Sequence, residues 1–188
     1  MKRREFITLL GGAASWPLAA RAQQPPQMRR IGALMNVAAD DPGAAARVGA
    51  LSQGLAELGW TIGRNVRIDY RWYAGNADAA RKYAAELVAL APDVILASGT
   101  LGVTAIQQLA RPVPIVFTLV SDPIGAGIVN SLARPDGNAT GFMLYEYSLS
   151  GKWLELLKQI APRTTRAAVM REQANAAGVA QFSAIQPD

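Results

Sequence analysis

Short apolar runs alternating with longer stretches of helical spacing constrain this chain more than any other feature. Ile31-Gly32-Ala33-Leu34-Met35, Val94-Ile95-Leu96-Ala97 and Ile115 to Leu119 read as strands buried on both faces. Between them lie amphipathic helices. From Gly43 to Leu58, residues Val48, Leu51, Leu55 and Leu58 share one face; from Ala77 to Leu90, so do Ala80, Tyr83, Leu87 and Leu90. Asp40 or Asp41 caps the first helix with Pro42 near its start, Gly59 ends it, and Pro92 stops the second. Leu101 to Ala110 gives a third helix and Gly125 to Leu132 a short fourth. Thr140-Gly141-Phe142-Met143 is a fifth strand, entered through the turn Asp136-Gly137-Asn138.

Five strands separated by helices predict an α/β fold, a doubly wound parallel sheet. Val66 to Trp72 differs from the other strands. Val66, Ile68, Tyr70 and Trp72 alternate with Arg67, Asp69 and Arg71, as a half-buried edge strand does. An edge position for the second strand gives the order 2-1-3-4-5. This lobe occupies residues 29–144. Beyond it, Leu149 to Ile160 is amphipathic, with Trp153, Leu154, Leu157 and Ile160 as its stripe. Ala167 to Met170 reads as a new strand and Asn175 to Gln186 as another helix. One strand and part of a helix cannot bury themselves, so residues 149–188 are expected to be the incomplete start of a second α/β lobe. The Ala167–Met170 strand, lacking a partner, is expected to promote aggregation.

The first residues predict an address. Lys2-Arg3-Arg4-Glu5-Phe6-Ile7, an uncharged stretch from Phe6 to Ala20, and Ala20-Arg21-Ala22 describe a cleavable signal peptide at 1–22. The arginine pair resembles a twin-arginine export signal. A stretch of that length is shorter than the about 20 residues a membrane-spanning helix needs, so no lasting membrane insertion is expected. Residues 23–28 form a flexible lead-in. The expected location is the periplasm.

Charge follows from this division. Lys2, Arg3, Arg4 and Arg21 against Glu5 give the leader +3 of the chain's net +5. The remainder has no basic stripe of the kind that binds nucleic acid. The chain has no cysteine and no histidine. That removes Cys/His zinc sites, a Ser-His-Asp triad and a Cys-His pair. No metal site, catalytic residue or cofactor is predicted. Gly125-Ala126-Gly127 fails as a dinucleotide fingerprint because Asn130 stands where the third glycine belongs, and no phosphate-binding G-x-x-x-x-G-K-[ST] occurs.

In an open parallel sheet, ligands bind beyond the carboxyl ends of the strands. The candidate ligand-binding residues are therefore Met35 and Asn36 after the first strand, and Ser98, Gly99 and Thr100 after the third. Ser121, Asp122 and Pro123 follow the fourth, and Tyr145 the fifth. Ser98-Gly99-Thr100 at a helix start suits an anion such as a carboxylate, or else one hydroxyl simply caps the helix. Asp122 suits a ligand ammonium group, or else a turn before Pro123. Tyr145 and Tyr147 suit stacking on a ligand or packing in a hinge.

Several stretches together resemble a family. They are Gln53-Gly54-Leu55-Ala56-Glu57-Leu58-Gly59-Trp60, Gly63-Arg64-Asn65-Val66 and Tyr70-Arg71-Trp72. Ala91-Pro92-Asp93-Val94-Ile95 and Pro114-Ile115-Val116-Phe117 continue the match. The most specific run extends from Ser121-Asp122-Pro123-Ile124-Gly125 through Ala133-Arg134-Pro135 to Gly141, with Gly151 to Lys158 after it. The chain resembles ABC-transporter substrate-binding proteins related to tryptophan/tyrosine-binding transport proteins. The resemblance implies a type I periplasmic binding protein: two lobes that close on a small molecule, an amino acid among the candidates, and deliver it to an inner-membrane ABC permease. It places 145–148 on the first hinge crossing and Ser98, Gly99, Thr100, Ser121 and Asp122 on the cleft. Because the family is about two lobes long, this chain is expected to be a fragment with an incomplete cleft that binds weakly. The other readings are a ligand-sensing domain of a regulator, which would call for a helix-turn-helix, and a secreted α/β enzyme, which would call for a nucleophile elbow.

Overall fold

A computed structural model describes residues 28–109, 113–135, 137–171 and 176–186. The predicted signal peptide at 1–22 and the lead-in up to Gln27 lie outside the described residues. So do Ala110, Asp136 and Asn175, which bound predicted elements.

The strands are β1 (Arg29–Met35), β2 (Val66–Trp72), β3 (Val94–Ser98), β4 (Ile115–Val120) and β5 (Ala139–Met143). They form one parallel sheet in the order β2-β1-β3-β4-β5, as the edge character of β2 predicts. The helices are α1 (Pro42–Glu57), α2 (Ala77–Ala89), α3 (Thr100–Gln107), α4 (Leu149–Ile160) and α5 (Ala176–Ile185). Asp41 caps α1 by accepting the Gly43 N–H, and Asn76 caps α2 by accepting that of Ala79.

Helices α2 and α3 cover one face. Their Leu87, Val88, Val103 and Ile106 pack with Leu34, Ile95, Ile115 and Phe117 in a continuous core. Gly32 is required there, because a Cβ would press to 3.3 Å from Ile95. Gly141 is more tightly constrained: its Cβ would fall 2.0 Å from the Phe117 carbonyl oxygen, so β5 lies beside β4 only with glycine at that position. Leu55 of α1 shares a cavity of about 330 Å³ with Ile31, Trp60, Val66 and Val94.

At the amino-terminal edge, Asp69 takes hydrogen bonds from Arg30 at 2.6 Å and from Arg67. The Arg30 bond is the main reason the Asp69 carboxyl titrates below its usual range. Asp93 is lowered too, chiefly by the Arg30 backbone N–H and then by Arg29. These pairs fix β1 between β2 and the start of β3.

Two predicted elements do not form. Residues 125–132 are turns instead of a short helix. The Asp122 carboxylate takes the Gly125 N–H, the Pro123 carbonyl takes those of Ile128 and Val129, and Gly127 turns at φ +69°. These bonds use the donors and acceptors a helix would have used. Ala167 to Met170 belongs to no strand: no neighbouring strand among the described residues offers it a ladder.

Candidate functional site

The carboxyl ends of the strands gather the predicted site residues into two groups. The first joins the ends of β1 and β3. Met35 is buried, and Asn36 follows it. Asn36 Oδ1 accepts from Ser98 Oγ at 2.9 Å and from Arg47 of α1 at 2.8 Å. Gly99 is the N-cap of α3, at φ 80° and ψ 155°. That conformation belongs essentially to glycine. A Cβ there would also come within 2.9 Å of the Tyr73 hydroxyl, which donates to the Ser98 carbonyl at 2.7 Å.

No side chain among the described residues caps α3. Neither Ser98 nor Thr100 serves as the cap: Ser98 is turned to Asn36, and Thr100 is the first helical residue. The first turn of α3 therefore presents backbone N–H groups at the rim, with the positive end of the helix dipole behind them. Thr100 is buried, and its hydroxyl has no hydrogen-bond partner among the described residues. This is the arrangement that suits a carboxylate.

The second group joins the ends of β4 and β5. Ser121 is buried, its hydroxyl likewise without a partner among the described residues, and Pro123 is fully buried. Asp122 is held by hydrogen bonds at both carboxylate oxygens and at its backbone N–H. Its Oδ1 accepts the Gly125 N–H at 2.7 Å, its Oδ2 accepts that of Tyr147 at 3.3 Å, and its own N–H donates to the Tyr145 carbonyl at 2.8 Å. It holds φ +41°, and Leu119, three residues earlier within β4, holds φ +55°. Each such backbone costs on the order of 1–3 kcal/mol, and the surrounding hydrogen bonds hold it. Asp122 thus ties the end of β4 to the segment that leaves β5.

Tyr145 packs edge-on against Trp153 at 5.5 Å, and its hydroxyl accepts from Gln181 at 2.8 Å. Both contacts lie on the C-terminal helices α4 and α5. Tyr147 is buried beside Asp122; burial first, and the Asp122 charge second, push its hydroxyl upward in pKa.

The register brings the two groups to one edge, since Ser98 pairs with Thr118 and Met35 with Trp72. Sequence reasoning missed Arg47 and Tyr73. Tyr73 continues the polar side of the β2 alternation, and an aromatic residue on that side was the available signal. Nothing in the spacing of α1 set Arg47 apart. Elsewhere, two cavities of about 320 and 340 Å³ lie among α4, residues 164–171 and α5. The candidate residues line neither of these, nor the cavity beside Trp60.

Comparison with known proteins gives the relatives. The chain is 31% identical over 116 residues to a tyrosine-binding protein of Clostridioides difficile, covering 62% of this chain and 33% of that protein. A conserved domain protein from Vibrio cholerae superposes with a TM-score of 0.72 at 29% identity, covering 85% of this chain and 52% of the other. An ABC domain from Streptococcus pneumonia in complex with L-Trp gives 0.71 at 23% identity, with the same coverage, and shows likeness of fold. The chain thus spans a third to about half of these relatives. The profile of the family described as ABC transporter substrate binding protein matches residues 33–186, nearly all of the chain after β1 begins, and the chain belongs to that family.

Proposed function

We propose that the carboxyl edge of the sheet is one wall of a solute-binding cleft and that the solute is an amino acid. The observation that carries this is the uncapped start of α3, with the unpartnered hydroxyls of Thr100 and Ser121 on the same edge. The α3 N–H groups and Thr100 take the ligand carboxylate. Asp122 Oδ2, whose one bond is long, takes the ammonium group. Met35, Asn36, Ser98, Gly99, Ser121 and Pro123 shape the wall between them. A tyrosine-binding relative and a structural neighbour holding L-Trp support an aromatic amino acid.

In this reading, residues 29–144 are one lobe, 145–148 cross the hinge and 149–188 begin the opposite lobe. The protein is exported on a twin-arginine signal, acts in the periplasm and hands its solute to an inner-membrane ABC permease. It binds no nucleic acid and catalyses no reaction. One wall taken by itself buries much less of a ligand than a closed cleft, so these residues alone are expected to bind weakly. Ligand-observed NMR with L-tyrosine, L-tryptophan and tyramine tests this. Millimolar binding of both amino acids, lost with tyramine because it lacks the carboxylate, is expected. Equal binding of tyramine, or micromolar affinity, would contradict it.

A further inference from the structure

Asn36 leaves β1 at the carboxyl edge, and two groups meet on one atom of its side chain. Ser98 Oγ donates to Asn36 Oδ1 at 2.9 Å, and Arg47 Nη1 donates to it at 2.8 Å. A guanidinium has N–H donors and no acceptor, so the amide atom that faces Arg47 is the oxygen. Ser98 alone would not decide this, because a hydroxyl donates to an amide oxygen or accepts from an amide nitrogen equally well. Arg47 therefore sets which way round the Asn36 amide stands. Arg47 makes no ion pair among the described residues, so no carboxylate of the lobe draws it away.

With Oδ1 taken twice, Nδ2 is the end left for the cleft. A Cβ built on Gly99 would lie 3.4 Å from the Asn36 Cβ and 3.6 Å from Nδ2, which sets this side chain against the N-cap of α3. Asn36 is half-buried, and Nδ2 has no hydrogen-bond partner among the described residues. Its N–H donors adjoin the backbone N–H groups of the first α3 turn. Turned the other way, the amide would put an acceptor oxygen there, which repels a carboxylate. Asn36, Arg47, Ser98 and Gly99 all belong to the five-stranded lobe, and no residue of the C-terminal segment takes part.

We infer that Arg47 is a positioning residue, which holds Asn36 so that Nδ2 donates to the carboxylate of the bound amino acid. This rests on the reading of the α3 start as the carboxylate site. It adds a side-chain donor to the backbone donors of that site, and it makes Arg47 act through Asn36 without touching the ligand.

Two NMR readouts on the full chain test it. In the ligand-free chain, the Asn36 side-chain amide protons should show a nuclear Overhauser effect to the Gly99 α-protons, weakened in Arg47→Met. Its absence from the unmodified chain would overturn the inference whatever the ligand does. Saturation-transfer difference with L-tryptophan, and with tryptamine as the control lacking a carboxylate, reads binding. Asn36→Asp keeps an acceptor for Arg47 and Ser98 but replaces Nδ2 with oxygen. It should weaken L-tryptophan by about tenfold or more and leave tryptamine no weaker. Arg47→Met should weaken L-tryptophan by about threefold to fivefold, and should add nothing in an Asn36→Ala background. An equal loss from Arg47→Met in both backgrounds would mean that the guanidinium acts by its own charge, and would overturn the inference. L-tryptophan binding that survives Asn36→Asp would do the same. Failure of the underlying site looks different: an unmodified chain without preference for L-tryptophan over tryptamine would overturn the carboxylate reading, and the inference with it.

Discussion

The sheet and the C-terminal segment follow the same rules with opposite outcomes. In β1, β3 and β4 each strand has a neighbour on both sides, and Leu34, Ile95 and Phe117 are almost wholly buried beneath α2 and α3. In the C-terminal segment, 167–170 joins no ladder among the described residues, α4 and α5 border open cavities, and Ile160 and Met170 stand in solvent. Both regions are rich in apolar residues. What separates them is the number of elements available to close a layer. Burial stabilises a strand only when other strands satisfy its backbone.

The largest expected effect breaks the first region and spares the second. Phe117→Ala should cost about 3–5 kcal/mol, since it leaves a cavity at the centre of the core. Gly141→Ala should be at least as severe, because the clash is with backbone. Met170→Lys should shift the urea midpoint by less than about 0.5 kcal/mol equivalent. A large loss for Met170→Lys would mean that the C-terminal segment shares the core's cooperativity.

The next effect lies at the rim. Gly99→Ala should cost about 1–3 kcal/mol through its backbone conformation and its approach to Tyr73, and thermal unfolding reads this. A smaller effect concerns pH. The folded pKa values of Asp69 and Asp93 lie below their unfolded values. Their contribution to stability is therefore complete above the unfolded pKa, near 4, and is lost as pH falls through the folded value. Urea midpoints should fall as pH drops below about 4, and Asp69→Asn should flatten that fall. An unchanged slope in Asp69→Asn would remove Asp69 from the account.

Sequence reasoning read the sheet well for a physical reason. Runs such as Val94 to Ala97 have no polar side, and the alternation in Val66 to Trp72 marks an edge; both properties are local. The misreadings were non-local. Whether 125–132 is helix or turn depends on Asp122 taking the Gly125 N–H from the loop before it. Whether 167–170 becomes a strand depends on a neighbour in space. At the site, the sheet-edge rule brought Asn36, Ser98, Gly99 and Thr100 together. It could not show that Tyr145 would turn to Trp153 and Gln181, because that depends on how α4 and α5 pack in space.

The most direct test of the sheet edge as a ligand wall is a residue-resolved amide NMR titration of the chain with L-tyrosine. The account predicts shifts concentrated at Asn36, Ser98 to Gly102 and Ser121 to Asp122, with α4 and α5 unmoved. Shifts mapping instead to the cavity walls at Leu154, Leu157 and Phe182 would contradict it.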